Sequence, residues 1–305
     1  MKRVIRSIAT MMLAFIFVMT GVITASAYMS PVQTSATQNS VTVSWTAVSG
    51  THHYLLYYYP DGSPIDWNTY VEVSGSATSC SIPIPYSKKY HVEAVAYDAY
   101  GNKLDWSYYT TPVCPAPGSI TTVKSIGWST DGNYGDFKMS SDPYPELPYG
   151  YEWQLRTKNG KTVKASGTSS YDRFKAKAKS NQVYQLWVMG YSYNGSNKFY
   201  GPWSKKTIVP EPKLKQSRFV LGNRIRLSWR KVSGATKYVV YGSTSPNKGY
   251  KKIATVKKSK GTYVVSRVKG KKLKKNKYYY FQVQAVSGKV KSYNNTYLRC
   301  KIYSL

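Results

Sequence analysis

Tyr279-Tyr280-Phe281-Gln282-Val283-Gln284-Ala285 alternates bulky apolar and polar residues and closes, six positions after its leading tyrosine, on a small one. The same arrangement stands at Tyr184-Gln185-Leu186-Trp187-Val188-Met189-Gly190 and at Tyr90-His91-Val92-Glu93-Ala94-Val95-Ala96, so successive leading tyrosines lie 94 and 95 residues apart. Side chains alternate between the faces of a strand. That places Phe281 with Val283, Leu186 with Val188, and Val92 with Ala94 on buried faces of three equivalent strands. Six residues before each leading tyrosine stands an apolar residue: Leu273, Ala178 and Ile84. Self-similarity at a fixed spacing marks a chain of repeated units.

A second landmark has the same spacing. Val41, Val43 and Trp45 alternate, and nine residues after Trp45 comes Tyr54; Ile225, Leu227 and Trp229 repeat this, with Tyr238 nine residues on. The middle unit departs: Phe137 and Met139 take the corresponding strand, a longer Pro-containing loop (142–150) follows, and Trp153 is expected to supply the missing bulk. Trp128 precedes that strand and has no counterpart by which to place it. Thirty-one tyrosines, eight tryptophans and recurrent turn formers favour strands throughout. No sustained helical period occurs outside the first residues.

These residues resemble the fibronectin type III family: an inward tryptophan on the second strand, an apolar-x5-Tyr corner, then alternation ending in Ala or Gly. Gly201-Pro202-Trp203-Ser204 also looks like the last-strand turn of such domains. The resemblance implies an all-β chain of three tandem seven-stranded immunoglobulin-like sandwiches without an inter-sheet disulfide. Each corner tyrosine would hydrogen-bond nearby backbone. The expected units are 28–115, 116–210 (the more divergent) and 211–305, joined at proline-rich stretches, 112–117 and 210–212, that read as semi-rigid linkers.

Residues 1–27 read as a signal peptide. Lys2, Arg3 and Arg6 precede an uncharged run from Ile8 to Ile23, and Ala25-Ser26-Ala27 gives small residues for cleavage before Tyr28. The run is shorter than the roughly 20 residues that span a bilayer, and no second such stretch follows. The expectation is a secreted, extracellular protein, associated with the cell surface and without an integral span after cleavage.

Little in the sequence points to catalysis, and no enzyme activity is expected. The chain has thirteen acidic residues, and no nucleophile elbow, phosphate-cradling glycine loop or zinc-ligand spacing. His52 and His53 are adjacent at a strand start, which sends them to opposite faces; His91 points outward, and Asp61-Gly62 reads as a turn. No metal and no cofactor are implied. Three cysteines do not make a disulfide scaffold. Cys80 reads as a small buried hydrophobe, a Cys80–Cys114 bond stays open, and Cys300 is single either way.

Charge is the informative feature. The first unit has 3 lysines and 6 acids, the second 13 basic residues and 6 acids, and the third 25 basic residues and one acid, Glu211. Such self-repulsion opposes compaction and calls for a compensating role. The resemblance places the connections between strands one and two, three and four, and five and six at one pole. There lie Arg218, Arg224, Lys248, Lys251, Lys252, Lys271, Lys272, Lys274, Lys275 and Lys277, with Lys269 among them and Arg226 outward on the adjoining strand. Lys213 and Lys301 are expected away from the centre of this cluster. Convergent cations make a polyanion site by counterion release. Nineteen lysines against six arginines suit point contact with phosphates. The partners expected are an anionic cell-wall polymer, with teichoic acid favoured, a host glycan, extracellular nucleic acid as a non-specific polyanion, or another surface protein. The function read from this is surface binding or adhesion. An alternative is carbohydrate binding through Tyr57, Tyr59, Trp67 and Tyr70 of the first unit, with Trp106, Tyr108 and Tyr109 nearby.

Overall fold

The computed structural model describes residues 29–84, 88–107, 110–120, 122–140, 149–215, 218–220, 222–293 and 296–302. The expected signal segment with its cleavage site, Tyr108 and Tyr109, and most of the 142–150 loop lie outside the described residues. In the first unit the strands are β1 (Val32–Ala36), β2 (Ser40–Ser44), β3 (His53–Pro60), β4 (Tyr70–Ser74), β5 (Ser79–Pro83), β6 (Tyr90–Tyr97), β7 (Lys103–Trp106) and β8 (Thr111–Val113). The second has β9 (Thr122–Trp128), β10 (Tyr134–Ser140), β11 (Tyr149–Thr157), β12 (Val163–Ser169), β13 (Arg173–Lys177), β14 (Tyr184–Asn194), β15 (Asn197–Tyr200) and β16 (Ser204–Ile208). The third has β17 (Arg218–Val220), β18 (Arg224–Ser228), β19 (Lys237–Ser243), β20 (Lys251–Lys257), β21 (Thr262–Val265), β22 (Arg267–Val268), β23 (Lys271–Lys272), β24 (Tyr278–Ser287), β25 (Val290–Lys291) and β26 (Leu298–Lys301).

Each unit is built on two sheets with the same order, and the third adds the two-stranded β22-β23. Strands one, two and five form a three-stranded sheet: β1-β2-β5, β9-β10-β13 and β17-β18-β21. The fourth strand pairs with the third in the other sheet, giving β4-β3-β6-β7, β12-β11-β14-β15 and β20-β19-β24-β25. The last strand is broken, so β8, β16 and β26 pair the remaining length of β6, β14 and β24. In the second unit Gly201-Pro202-Trp203 makes that break. The Gly201 N–H donates to Gly190 O at 2.9 Å, and a Cβ on Gly201 would fall on the carbonyl oxygen of Pro117 in the passing linker.

Three separate cores fill the sandwiches. Alternation puts Val41, Val43, Leu56, Ile82, Val92 and Ala94 in the first, with Trp45 edge-on to Tyr54 at 5.3 Å between ring centroids. Ile225, Leu227, Val240, Phe281 and Val283 fill the third, where Trp229 meets Tyr238 at 5.4 Å. The middle core holds Phe137, Met139 and Leu186, and Trp153 stacks on Phe174 at 4.4 Å. The tryptophan has thus moved to the opposite sheet, on β11. Trp128 is half-buried at the end of β9, edge-on to Phe137 at 6.1 Å.

The tyrosines lock loops. Tyr184 and Tyr279 hydroxyls accept the N–H groups of Lys179 and Lys274, both at 2.9 Å. Tyr54 and Tyr238, on the neighbouring strands, accept those of Val48 and Val232 at 2.9 and 2.8 Å. Among the described residues all three cysteines are free thiols, so the open Cys80–Cys114 bond does not form. Cys114 is buried beyond β8, where the Gln33 side chain grips its backbone, accepting from its N–H at 3.0 Å and donating to its carbonyl at 2.7 Å. Burial pushes its thiol up to about 11 and also raises that of Cys80.

The joints are more built than proline-rich linkers suggest. Residues 113–118 are all buried. Ser192 Oγ donates to Pro115 O at 2.7 Å, and the Asn194 side-chain amide donates to Pro112 O and, at 3.3 Å, to Gln33. At the next joint Val183 N–H donates to Ser233 O at 2.9 Å and Ser233 N–H to Asn181 O at 2.7 Å, with Gln182 and Ser233 forming an isolated bridge. Val183, 1% exposed, and Val209 belong to the core cluster of the third unit.

Candidate polyanion-binding site

Register in the third unit brings the basic residues to one end. Tyr280 pairs with Ser243, and Lys251 with Gly242, so the 244–250 loop adjoins the start of β24. Ile225 pairs with Val265, which brings the start of β18 to the end of β21 and so to the chain leading into β22. There Arg267 faces Lys272 and Val268 faces Lys271 across a hairpin whose turn, Lys269-Gly270, has φ of 51° and 77°. Positive φ at both central residues is the two-residue hairpin turn that matches strand twist. It normally takes Asn-Gly, and here a lysine stands at the first position. A Cβ placed on Gly249 would come 2.9 Å from Lys269 Nζ, so the two lysine-bearing loops touch.

Lys248, Lys251, Lys252, Lys271, Lys272, Lys274, Lys275 and Lys277 are all exposed at this pole, as is Arg224 at the start of β18. Arg226 is exposed two residues along β18. Arg218 is placed differently from the expectation. It lies on β17 rather than in the connection, with Arg226 as its cross-strand partner. Lys301 pairs with Tyr278, next to Lys277, and its ammonium lies 5.4 Å from the Tyr278 ring centre, which puts it beside the pole. Arg267, which sequence spacing did not single out, donates to Gly270 O at 3.0 Å and braces the hairpin. Glu211 sits at the far end, accepting from the Thr296 N–H and hydroxyl at 3.1 and 2.8 Å. No carboxylate side chain within the unit neutralises the pole.

The first-unit aromatics are partly gathered. Tyr57, Trp67 and Tyr70 form a cluster, with Trp67 4.9 Å and Tyr70 5.6 Å from Tyr57 and both edge-on to it. Trp67 is 56% exposed, whereas Tyr57 is buried, its hydroxyl pushed up to about 12 by burial and by a hydrogen bond with Tyr97. Tyr59 stands apart, stacked on His91 at 5.8 Å. His91 Nε2 in turn lies 2.6 Å from Asp61, in the expected turn. His52 and His53 do not diverge as alternation predicts: their Nδ1 atoms are 3.2 Å apart, because His52 precedes the strand. Among the described residues no group of three or more His, Cys, Asp or Glu could hold a metal ion. No described helix is long and apolar enough to cross a membrane.

The three-plus-four strand order, with the fourth strand on the third rather than on the second-and-fifth sheet, recurs in every unit, and the corner tyrosines Tyr184 and Tyr279 lock their loops in the second and third. The fold is fibronectin type III-like. No protein-family model matches the chain, and no curated protein matches it. Solved fibronectin type III structures do. The FN1-FN3 domains of chicken CNTN1 (contactin) are 15% identical over 90% of this chain and 97% of that one, with a TM-score of 0.27. A two-domain segment of chicken tenascin is 14% identical over 59% of this chain and 98% of that one, with a TM-score of 0.31.

Proposed function

We propose that this chain is an exported, non-catalytic surface protein whose third fibronectin type III-like unit holds an anionic polymer, cell-wall teichoic acid being the favoured one. The pole of one sign, built from segments far apart in sequence, supports this reading above all. Exposed lysines on rigid turns offer point charges without bidentate geometry, which suits repeated phosphates better than the edges of bases. Host glycans and extracellular nucleic acid would compete on the same electrostatic terms, and the first unit is left to meet another surface protein. The test is retention of the full mature chain on whole cell walls and on walls chemically stripped of teichoic acid. Binding should fall with the phosphate; equal retention on both would sink the reading.

The exposed Trp67 and Tyr70 beside Tyr57 favour a second reading, carbohydrate binding through the first unit, since aromatic faces stack on the C–H faces of sugars. Trp67→Ala should then weaken neutral-glycan binding while leaving wall retention unchanged.

A further inference from the structure

Trp128 has no counterpart in the other units, and the repeat does not call for it. Where the first unit pairs Ala36 with Val41 and the third pairs Val220 with Arg224, the second pairs Trp128 with Gly135. Glycine leaves room for both rings: a Cβ on residue 135 would come 2.7 Å from the Phe137 ring and 3.1 Å from the indole. Part of the ring packs on the core through Phe137. The rest lines a cavity of ≈ 480 Å³ at the joint between the second and third units, within the roughly 300–1,000 Å³ of small-ligand sites, which favour domain interfaces. The neighbouring Gly127 faces open space, with nothing within 4 Å of where its Cβ would be.

The wall contributed by the third unit carries Lys213, Arg230 and Tyr297. Lys213, Lys215 and Arg230 continue the groove into an adjoining cavity. The carboxylates at the site are already engaged. Asp131 accepts from the Ser129 hydroxyl and from the backbone and side-chain N–H groups of Asn133, which lowers its pKa, and Glu211 accepts from Thr296. Among the described residues Lys213, Lys215 and Arg230 have no side-chain partner, and all three are exposed. An aromatic floor beside uncommitted cations suits a sugar ring whose C–H face stacks on the indole and whose carboxylate reaches the guanidinium.

We infer that the groove between the second and third units, floored by Trp128 and walled by Lys213 and Arg230, is a binding site for an acidic saccharide. It is distinct from the basic pole, since Arg230 follows the far end of β18 from Arg224. It needs both units, because the floor and the cations come from different ones, and the Gln182–Ser233 bridge keeps them in register.

The test uses the full mature chain carrying Lys251→Ala, Lys271→Ala, Lys274→Ala and Lys275→Ala, so that the pole neither contributes nor confuses the result. The probes are a hyaluronan hexasaccharide, which alternates glucuronate with N-acetylglucosamine, and neutral chitohexaose, followed by calorimetry. The hexasaccharide should bind one to one and more tightly than chitohexaose. Arg230→Gln, at an exposed position, should weaken the hexasaccharide by about tenfold, the worth of one charge-assisted hydrogen bond. Trp128→Ala should remove binding of both, whereas Trp106→Ala should not. No saturable binding, equal affinity for the two probes, or an Arg230→Gln variant that binds the hexasaccharide unchanged would each overturn the assignment.

Discussion

The Tyr279 hydroxyl accepts the backbone N–H of Lys274 at 2.9 Å, so the corner that stabilises the third sandwich also fixes one of the lysines at its basic pole. Tyr279 is buried, and its strand follows directly from the lysine loop. Fold and candidate site share this one hydrogen bond.

Tyr279→Phe keeps the ring and removes the acceptor, leaving the Lys274 N–H without it. The expected loss is about 1 kcal/mol of stability in that unit, read from hydrogen exchange of β24 amides, with weaker polyanion binding alongside. Tyr184→Phe breaks the equivalent bond to Lys179 in the second unit. It should show a similar stability loss with polyanion binding intact. If both variants bind like the parent, the corner does not position the site.

The Asp61–His91 contact gives a pH-dependent handle on the first unit. The hydrogen bond from His91 holds the Asp61 carboxyl below the ordinary aspartate range, with Lys89 adding to the effect. A carboxyl depressed in the folded state contributes stability above its unfolded pKa, and that contribution is lost as pH falls through the lowered folded value. Carbon-13 titration of Asp61 should therefore give a midpoint below the usual aspartate value. His91→Ala should return it upward; an unmoved midpoint would mean that the imidazole is not the cause.

Much of the fold was legible because strand alternation is local. Spacing aligned Trp45 with Trp229 and Tyr184 with Tyr279, the resemblance supplied the corners, and these residues occupy the expected cores and corners. The shared end of the lysine-bearing connections came from the resemblance, since the residues alone do not say which connections lie together. That Arg218 stands on a strand rather than in the connection was not legible, because strand ends have no periodic signature, and neither was the pairing of Lys301 with Tyr278. The joints were not legible. Gln182 and Ser233 are loop residues from different units, and only the packing of one sandwich on the next makes them partners. Trp128 was undecidable for the same reason, since its exposed side borders a different unit.

Val183 tests whether the joint is part of a core. It belongs to the second unit by sequence, yet it packs with Trp229, Val232 and Ala235 of the third. Val183→Ala removes about two methylene equivalents and should lower the stability of the third unit by roughly 1.5 kcal/mol. Amide exchange in β18 and β24 should report this loss, while β11 changes less. An effect confined to the second unit would show that the two cores are energetically separate.

The last prediction concerns the pole as a localised site rather than a diffuse basic surface. Two charge-matched variants of the full mature chain distinguish these. One neutralises Lys251, Lys271, Lys274 and Lys275 at the pole; the other neutralises Lys231, Lys257, Lys258 and Lys289, which are exposed toward the opposite end of the same unit. Both carry the same net charge, so long-range attraction is reduced alike, and only close contact can separate them. Each phosphate neutralised contributes about −0.9 to the slope of log affinity against log salt on duplex DNA and about −0.7 on a single strand. With single-stranded DNA as the probe, the pole variant should lose about 3 from that slope, and the opposite-end variant much less. The loss should be independent of base sequence, because phosphate contacts carry almost no sequence information. Equal slopes in the two variants would replace the localised site with a general electrostatic attraction of the whole unit.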